Sequence, residues 1–145
     1  MPTKKRHGAV LGVQEVPHHE VNRYGIVSPR TISAGLHRVE GLVEKPAPAD
    51  APSNLAVIGR YVLPPSIFTH LKNTERGVGG EIQLTDALAR LMETEGLIGY
   101  RFEGTRHDAG DKLGYVKANI AYALKRPELK DGLMKYIREL AAGGK

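Results

Sequence analysis

Residues 54–63 (NLAVIGRYVL) form a near-continuous apolar run, broken only by Gly59 and Arg60 and stopped by Pro64 and Pro65. A run of this length and composition reads as a strand in a sheet covered on both faces, because a strand with one wet face would alternate. The two prolines cannot extend a ladder, but they preset the first turn of a helix, expected over residues 66–71. A strand of this kind needs helices to cover it, and the rest of the chain must supply them.

It does so in alternation. Residues 8–16 (GAVLGVQEV) read as a buried strand ended by Pro17, followed by a turn and a short strand around Tyr24 to Val27. Residues 36–44 (LHRVEGLVE) fit a strand with a bulge at Gly41 and an end at Lys45-Pro46, and residues 47–52 (APADAP) a surface linker. After the Gly-rich stretch 76–80, Leu84, Leu88, Leu91 and Met92 recur at helical spacing, and residues 97–102 form another strand. A helix over 111–124 carries Leu113, Val116, Ile120, Ala121 and Leu124 on one stripe, and Arg126-Pro127 separates it from a last helix, 128–140. The fold class expected is α/β with a mixed, mostly parallel sheet.

Composition narrows the function. The 145 residues are 41% hydrophobic and 26% charged, with no cysteine, so disulfides, thiolate metal sites and cysteine nucleophiles are excluded. No stretch approaches the roughly 18 apolar residues that span a bilayer, and no signal-like segment follows the basic start, so no membrane role is expected and the cytoplasm is the expected compartment. The net charge of +5 would suit phosphates, but beyond Lys4-Lys5-Arg6 the basic residues are interleaved with acids. Nucleic acid is therefore not an expected partner; a small phosphorylated substrate is.

Four clusters carry candidate chemistry. Glu44-Lys45, at a strand end, pairs an acceptor for sugar hydroxyls with a cation for phosphate, although on chemistry alone a surface ion pair before a turn is the commoner explanation. Val57, Gly59 and Tyr61 would let a ligand approach a strand, or simply relieve core crowding. Gly77 to Asp86 places Glu81 and Gln83 at a helix entrance, with Thr85 or Asp86 as its cap. Between strand and helix, Asp111 is the natural cap of the following helix, which leaves Asp108 for a metal.

Taken in order, EVPHHEVNRYGIV, GLVEKP, SNLAVIGRYVLPPSIF, GGEIQLTDAL, DAGDKLGYVKA and ALKRPEL resemble the C-terminal half of bacterial UTP–glucose-1-phosphate uridylyltransferases, over about residues 8–140. The resemblance implies the C-terminal part of a Rossmann-like nucleotide-diphospho-sugar transferase fold. It also implies a reaction: UTP and α-D-glucose 1-phosphate give UDP-glucose and pyrophosphate, with Mg²⁺ bridging the phosphates. Carried over by motif, Glu44 would accept from glucose hydroxyls and Lys45 would contact the sugar phosphate. Gly25, Val57 and Tyr61 would line the hexose, Glu81 would touch another hydroxyl, and Asp108 would be one of two aspartates on Mg²⁺.

The Gly-rich uridine site of such enzymes has no counterpart here, so residues 8–145 are expected to be the sugar-phosphate and metal half of a transferase domain, preceded by a basic tail, residues 1–7. On that expectation the chain is incomplete alone, and its uncovered apolar edges call for a complementary half or further copies of itself. Two other functions stay open at this point: a module that holds hexose phosphates without turnover, and an interaction protein that pairs with a full-length relative.

Overall fold

The structure is a computed structural model that describes residues 8–143. The basic tail, residues 1–7, lies outside the described residues. Two compact units divide the chain, Met1–Glu103 and Gly104–Lys145.

In the first unit five strands close on themselves in the order β1-β4-β2-β3-β5: β1 (Ala9–Glu15), β2 (Gly25–Ser33), β3 (Leu36–Glu44), β4 (Leu55–Val62) and β5 (Leu97–Arg101). Helices α1 (Ile67–Lys72) and α2 (Leu84–Glu95) form the link from β4 to β5. The α/β class and the mixed sheet agree with the sequence. The predominance of parallel pairs does not: among the described residues only β1 and β5 run parallel, and the other four pairings are antiparallel. The reason lies in the connections. A helical crossover is needed to bring a strand back parallel, and β2 to β3 is instead a hairpin closed by Ala34 and Gly35, with Ser33 opposite Leu36 and Gly35 at φ 76°.

β2 extends six residues beyond the short strand expected at Tyr24 to Val27, because the hairpin supplies a partner for Ser28 to Ser33. The bulge falls one residue before its expected place. Ser28 pairs with Gly41 and Pro29 with Val39, so Glu40 is the extra residue, set against a proline that has no N–H for the ladder. β4 is buried on both faces only at its start; Leu55, Ala56 and Ile58 are buried, whereas Gly59 to Val62 emerge at the surface.

The core of this unit is Leu11, Val13, Val27, Val39, Leu55 and Leu97 from the strands, closed by Ile67, Ala87, Leu88 and Leu91 from the helices. The helical stripe on α2 therefore faces the sheet as its spacing requires. Burying a side chain of this size stabilises by roughly 1.5–3 kcal/mol, so α2 is held chiefly by Leu88 and Leu91, which are 1% and 0% exposed.

The second unit contains α3 (Lys112–Ala123) and α4 (Pro127–Ala141). Asp111 caps α3 as expected, its carboxylate accepting from the Gly114 N–H at 2.7 Å. Neither helix has a buried residue; of the α3 stripe, Leu113 is 60% and Val116 50% exposed, while Ala121 and Leu124 are partly buried. Among the described residues no helix is long and apolar enough to cross a membrane.

Candidate functional site

β2, β3, β4 and α2 of the first unit meet around a pocket of about 250 Å³, lined by Arg23, Tyr24, Gly25, Glu44, Val57, Tyr61, Gln83, Leu84 and Thr85. The sheet dictates this convergence. Gly25 opens β2 directly opposite Glu44, the last residue of β3, and Ile26 pairs with Ala56 of β4, which brings Val57 and Tyr61 alongside. The first turn of α2 closes the remaining side.

Gly25 is buried, and a side chain there would stand 3.1 Å from Glu44 Oε2 and 3.5 Å from Thr85 Oγ1. Only glycine leaves that space free. Thr85 Oγ1 donates to Glu44 Oε2 at 2.5 Å. The expected capping role of Thr85 or Asp86 is thereby corrected: the N-cap position is Gln83, with no side-chain cap bond, and the Thr85 hydroxyl turns across to β3. Tyr61 is 39% exposed, and partial burial pushes its hydroxyl above the ordinary pKa, with the negative charge of Glu44 adding to the effect. Tyr61 therefore stands in the pocket as a neutral donor and acceptor, facing an acceptor-only carboxylate.

Of the residues singled out in the sequence, Gly25, Glu44, Val57, Tyr61 and Gln83 share this pocket, while Lys45 and Glu81 do not line it. Lys45 is exposed and has φ 46°, a left-handed backbone that side-chain-bearing residues seldom adopt. Its N–H donates to the Tyr24 carbonyl at 2.9 Å, and the sharp exit from β3 turns the chain into buried Pro46. Glu81 sits exposed at the end of a self-bonded loop. There the Gly77 N–H donates to the Glu81 carbonyl at 2.9 Å and Arg76 Nη1 to the Gly80 carbonyl at 2.8 Å.

Asp108 belongs to the second unit. Its Oδ1 accepts from the Gly110 N–H at 3.0 Å and its Oδ2 lies 3.8 Å from Arg106 Nη2, with the side chain 44% exposed. Among the described residues no three His, Asp or Glu side chains gather as a ready-made metal cage. Sequence reasoning missed Arg23, Tyr24, Leu84 and Thr85 as lining residues; Arg23 and Tyr24 carried a signal only through their place beside Gly25.

With this geometry in view, the family model described as Nucleotidyl transferase matches residues 3–125. The chain belongs to the nucleotidyl transferase family. The chain is 47% identical over 138 residues to UTP--glucose-1-phosphate uridylyltransferase 2 of Streptococcus pyogenes serotype M3, covering 94% of this chain and 46% of that protein. It is 49% identical over 132 residues to the UTP--glucose-1-phosphate uridylyltransferase of Staphylococcus haemolyticus, covering 91% of this chain and 46% of the relative. Among solved structures, it matches a UTP-bound UGPase from Acinetobacter baumannii with a TM-score of 0.80 and 44% identity, over 92% of this chain and 46% of the other. A UDP-glucose pyrophosphorylase complexed with UDP-glucose gives a TM-score of 0.78 and 43% identity, over 84% and 46%. The α/β nucleotidyltransferase fold is thus shared, and the chain spans just under half the length of these relatives.

Proposed function

We propose that this chain supplies the sugar-phosphate side of a UTP–glucose-1-phosphate uridylyltransferase, corresponding to the C-terminal half of that enzyme, and that the reaction is completed with a nucleotide-binding half. The observation that carries the reading is the pocket lined by Arg23, Glu44 and Tyr61, with Glu44 Oε2 beside the space that Gly25 keeps open. A carboxylate and a phenol recognise sugar hydroxyls as acceptor and donor, Val57 offers an apolar wall to the hexose face, and a cation at the rim suits a phosphate.

On this reading Glu44 accepts from glucose hydroxyls, Lys45 neutralises the sugar phosphate from its strained position beside the pocket, and Glu81 meets another hydroxyl from the glycine loop. A phosphate oxygen of glucose 1-phosphate forms the new bond to the α-phosphorus of UTP as the bond to pyrophosphate breaks. The protein's share is alignment and charge stabilisation. Asp108 fits a divalent cation such as Mg²⁺, because that ion takes one or two carboxylates together with substrate phosphates rather than a full protein cage. When bound, the cation would neutralise phosphate charge. A cytoplasmic setting goes with the same reading.

Titration calorimetry with glucose 1-phosphate tests it. Binding is expected in the wild type and a loss of roughly tenfold or more in Glu44→Ala, the size of a lost charge-assisted hydrogen bond or two. Absence of heat in the wild type would overturn the proposal. Pyrophosphate release from UTP and glucose 1-phosphate, with and without a supplied nucleotide-binding half, then distinguishes a transferase part from a module that only binds.

A further inference from the structure

Glu44 ends a strand and Thr85 lies in the first turn of a helix, 41 residues later, yet their side chains make a 2.5 Å hydrogen bond. A threonine in a helix commonly turns its hydroxyl back to a carbonyl of its own helix. Thr85 instead spends its only proton on Oε2, above the space kept open by Gly25. Glutamate has three rotatable side-chain bonds, and an exposed one samples many rotamers that a ligand must freeze on binding.

We infer that Thr85 is a positioning residue for Glu44, its hydroxyl fixing the carboxylate plane so that Oε1 and the free lone pair of Oε2 are presented to a polyhydroxylated ligand before that ligand arrives. A carboxylate offers about four acceptor directions, and the Thr85 bond uses one of them, leaving an array suited to neighbouring hydroxyls. The identity of the ligand rests on the sugar-phosphate reading; the positioning of Glu44 does not. The first turn of α2 adds to the effect, since a helix N-terminus favours a negative group beside it.

The test compares wild type, Thr85→Ser and Thr85→Val in the full chain by two readouts. In the first, three-bond NMR couplings report the Glu44 side-chain rotamer without ligand; in the second, calorimetry reports glucose 1-phosphate affinity. A single Glu44 rotamer is expected in wild type and T85S and averaging in T85V, with affinity falling roughly five- to tenfold in T85V and recovering in T85S, in line with the ordering cost of one flexible side chain. Thr85→Ala makes the same comparison if T85V does not fold. A Glu44 that keeps one rotamer without the hydroxyl overturns the inference, whatever the affinity does. A wild type with a fixed rotamer but no glucose 1-phosphate binding leaves Thr85 as a positioning residue and overturns the sugar-phosphate reading instead.

Discussion

The backbone carbonyl of Asp108 lies against Gly114, the third residue of α3, so closely that a side chain on Gly114 would collide with it. The same glycine donates its N–H to Asp111 and would bring a methyl group within 3.3 Å of that carboxylate. Gly114 is thus the point at which the Asp108 turn and the helix are fastened together.

Replacing a helical glycine by alanine ordinarily stabilises by about 1 kcal/mol. At Gly114 the sign should reverse, because the methyl must displace a carbonyl rather than a flexible side chain. Gly114→Ala is expected to destabilise by about 1–3 kcal/mol, the usual range for overpacking. Thermal unfolding followed by circular dichroism reads the effect, and an unchanged or higher midpoint contradicts it.

Asp111→Ala removes the only side-chain cap on α3 among the described residues and leaves the Gly114 N–H without its partner. A loss of about 1 kcal/mol is expected. Asp111→Asn and Asp111→Ser should recover most of it in the same melt, since both side chains can accept from the helix.

Lys45 occupies a left-handed conformation that costs an L-residue roughly 1–2 kcal/mol, and Pro46 behind it presses its neighbour toward extended angles. Glycine is free of that strain but loses more entropy on folding, about 0.5–1 kcal/mol. Lys45→Gly should therefore leave denaturant stability unchanged or raise it by up to about 1 kcal/mol, while weakening the binding of glucose 1-phosphate. Lys45→Val, which adds β-branching at a positive φ, should be the less stable of the two variants.

Tyr61 should ionise above the ordinary tyrosine value, as read by subtracting the near-ultraviolet absorbance titration of Tyr61→Phe from that of the wild type. Burial is the larger cause and Glu44 the smaller. Glu44→Gln should accordingly lower the midpoint without returning it to the ordinary value. The folded state favours the neutral phenol, so the stabilisation is full below the unfolded-state pKa and is lost as pH rises from there through the raised folded-state value. A midpoint that ignores Glu44→Gln would separate the two side chains.

Much of this molecule follows from local chemistry. Pro64 and Pro65 follow the end of β4 and lead into α1 because a ring without an N–H cannot extend the ladder, and Asp111 caps α3 because its carboxylate reaches the N–H three residues on. The apolar spacing of Leu84, Leu88 and Leu91 fixed which face of α2 is buried, and Gly25, Glu44, Val57 and Tyr61 were marked as a group by motif. Sheet direction, the place of the bulge and the partner of Thr85 were not marked, since each depends on a residue far along the chain. The Ala34-Gly35 turn folds β2 onto β3, Pro29 then sets Glu40 outside the ladder, and the register that results carries Glu44 to Gly25 and within reach of Thr85. A hydroxyl two positions into a helix reads locally as a cap; only the packing of α2 against the sheet gives it a carboxylate to hold.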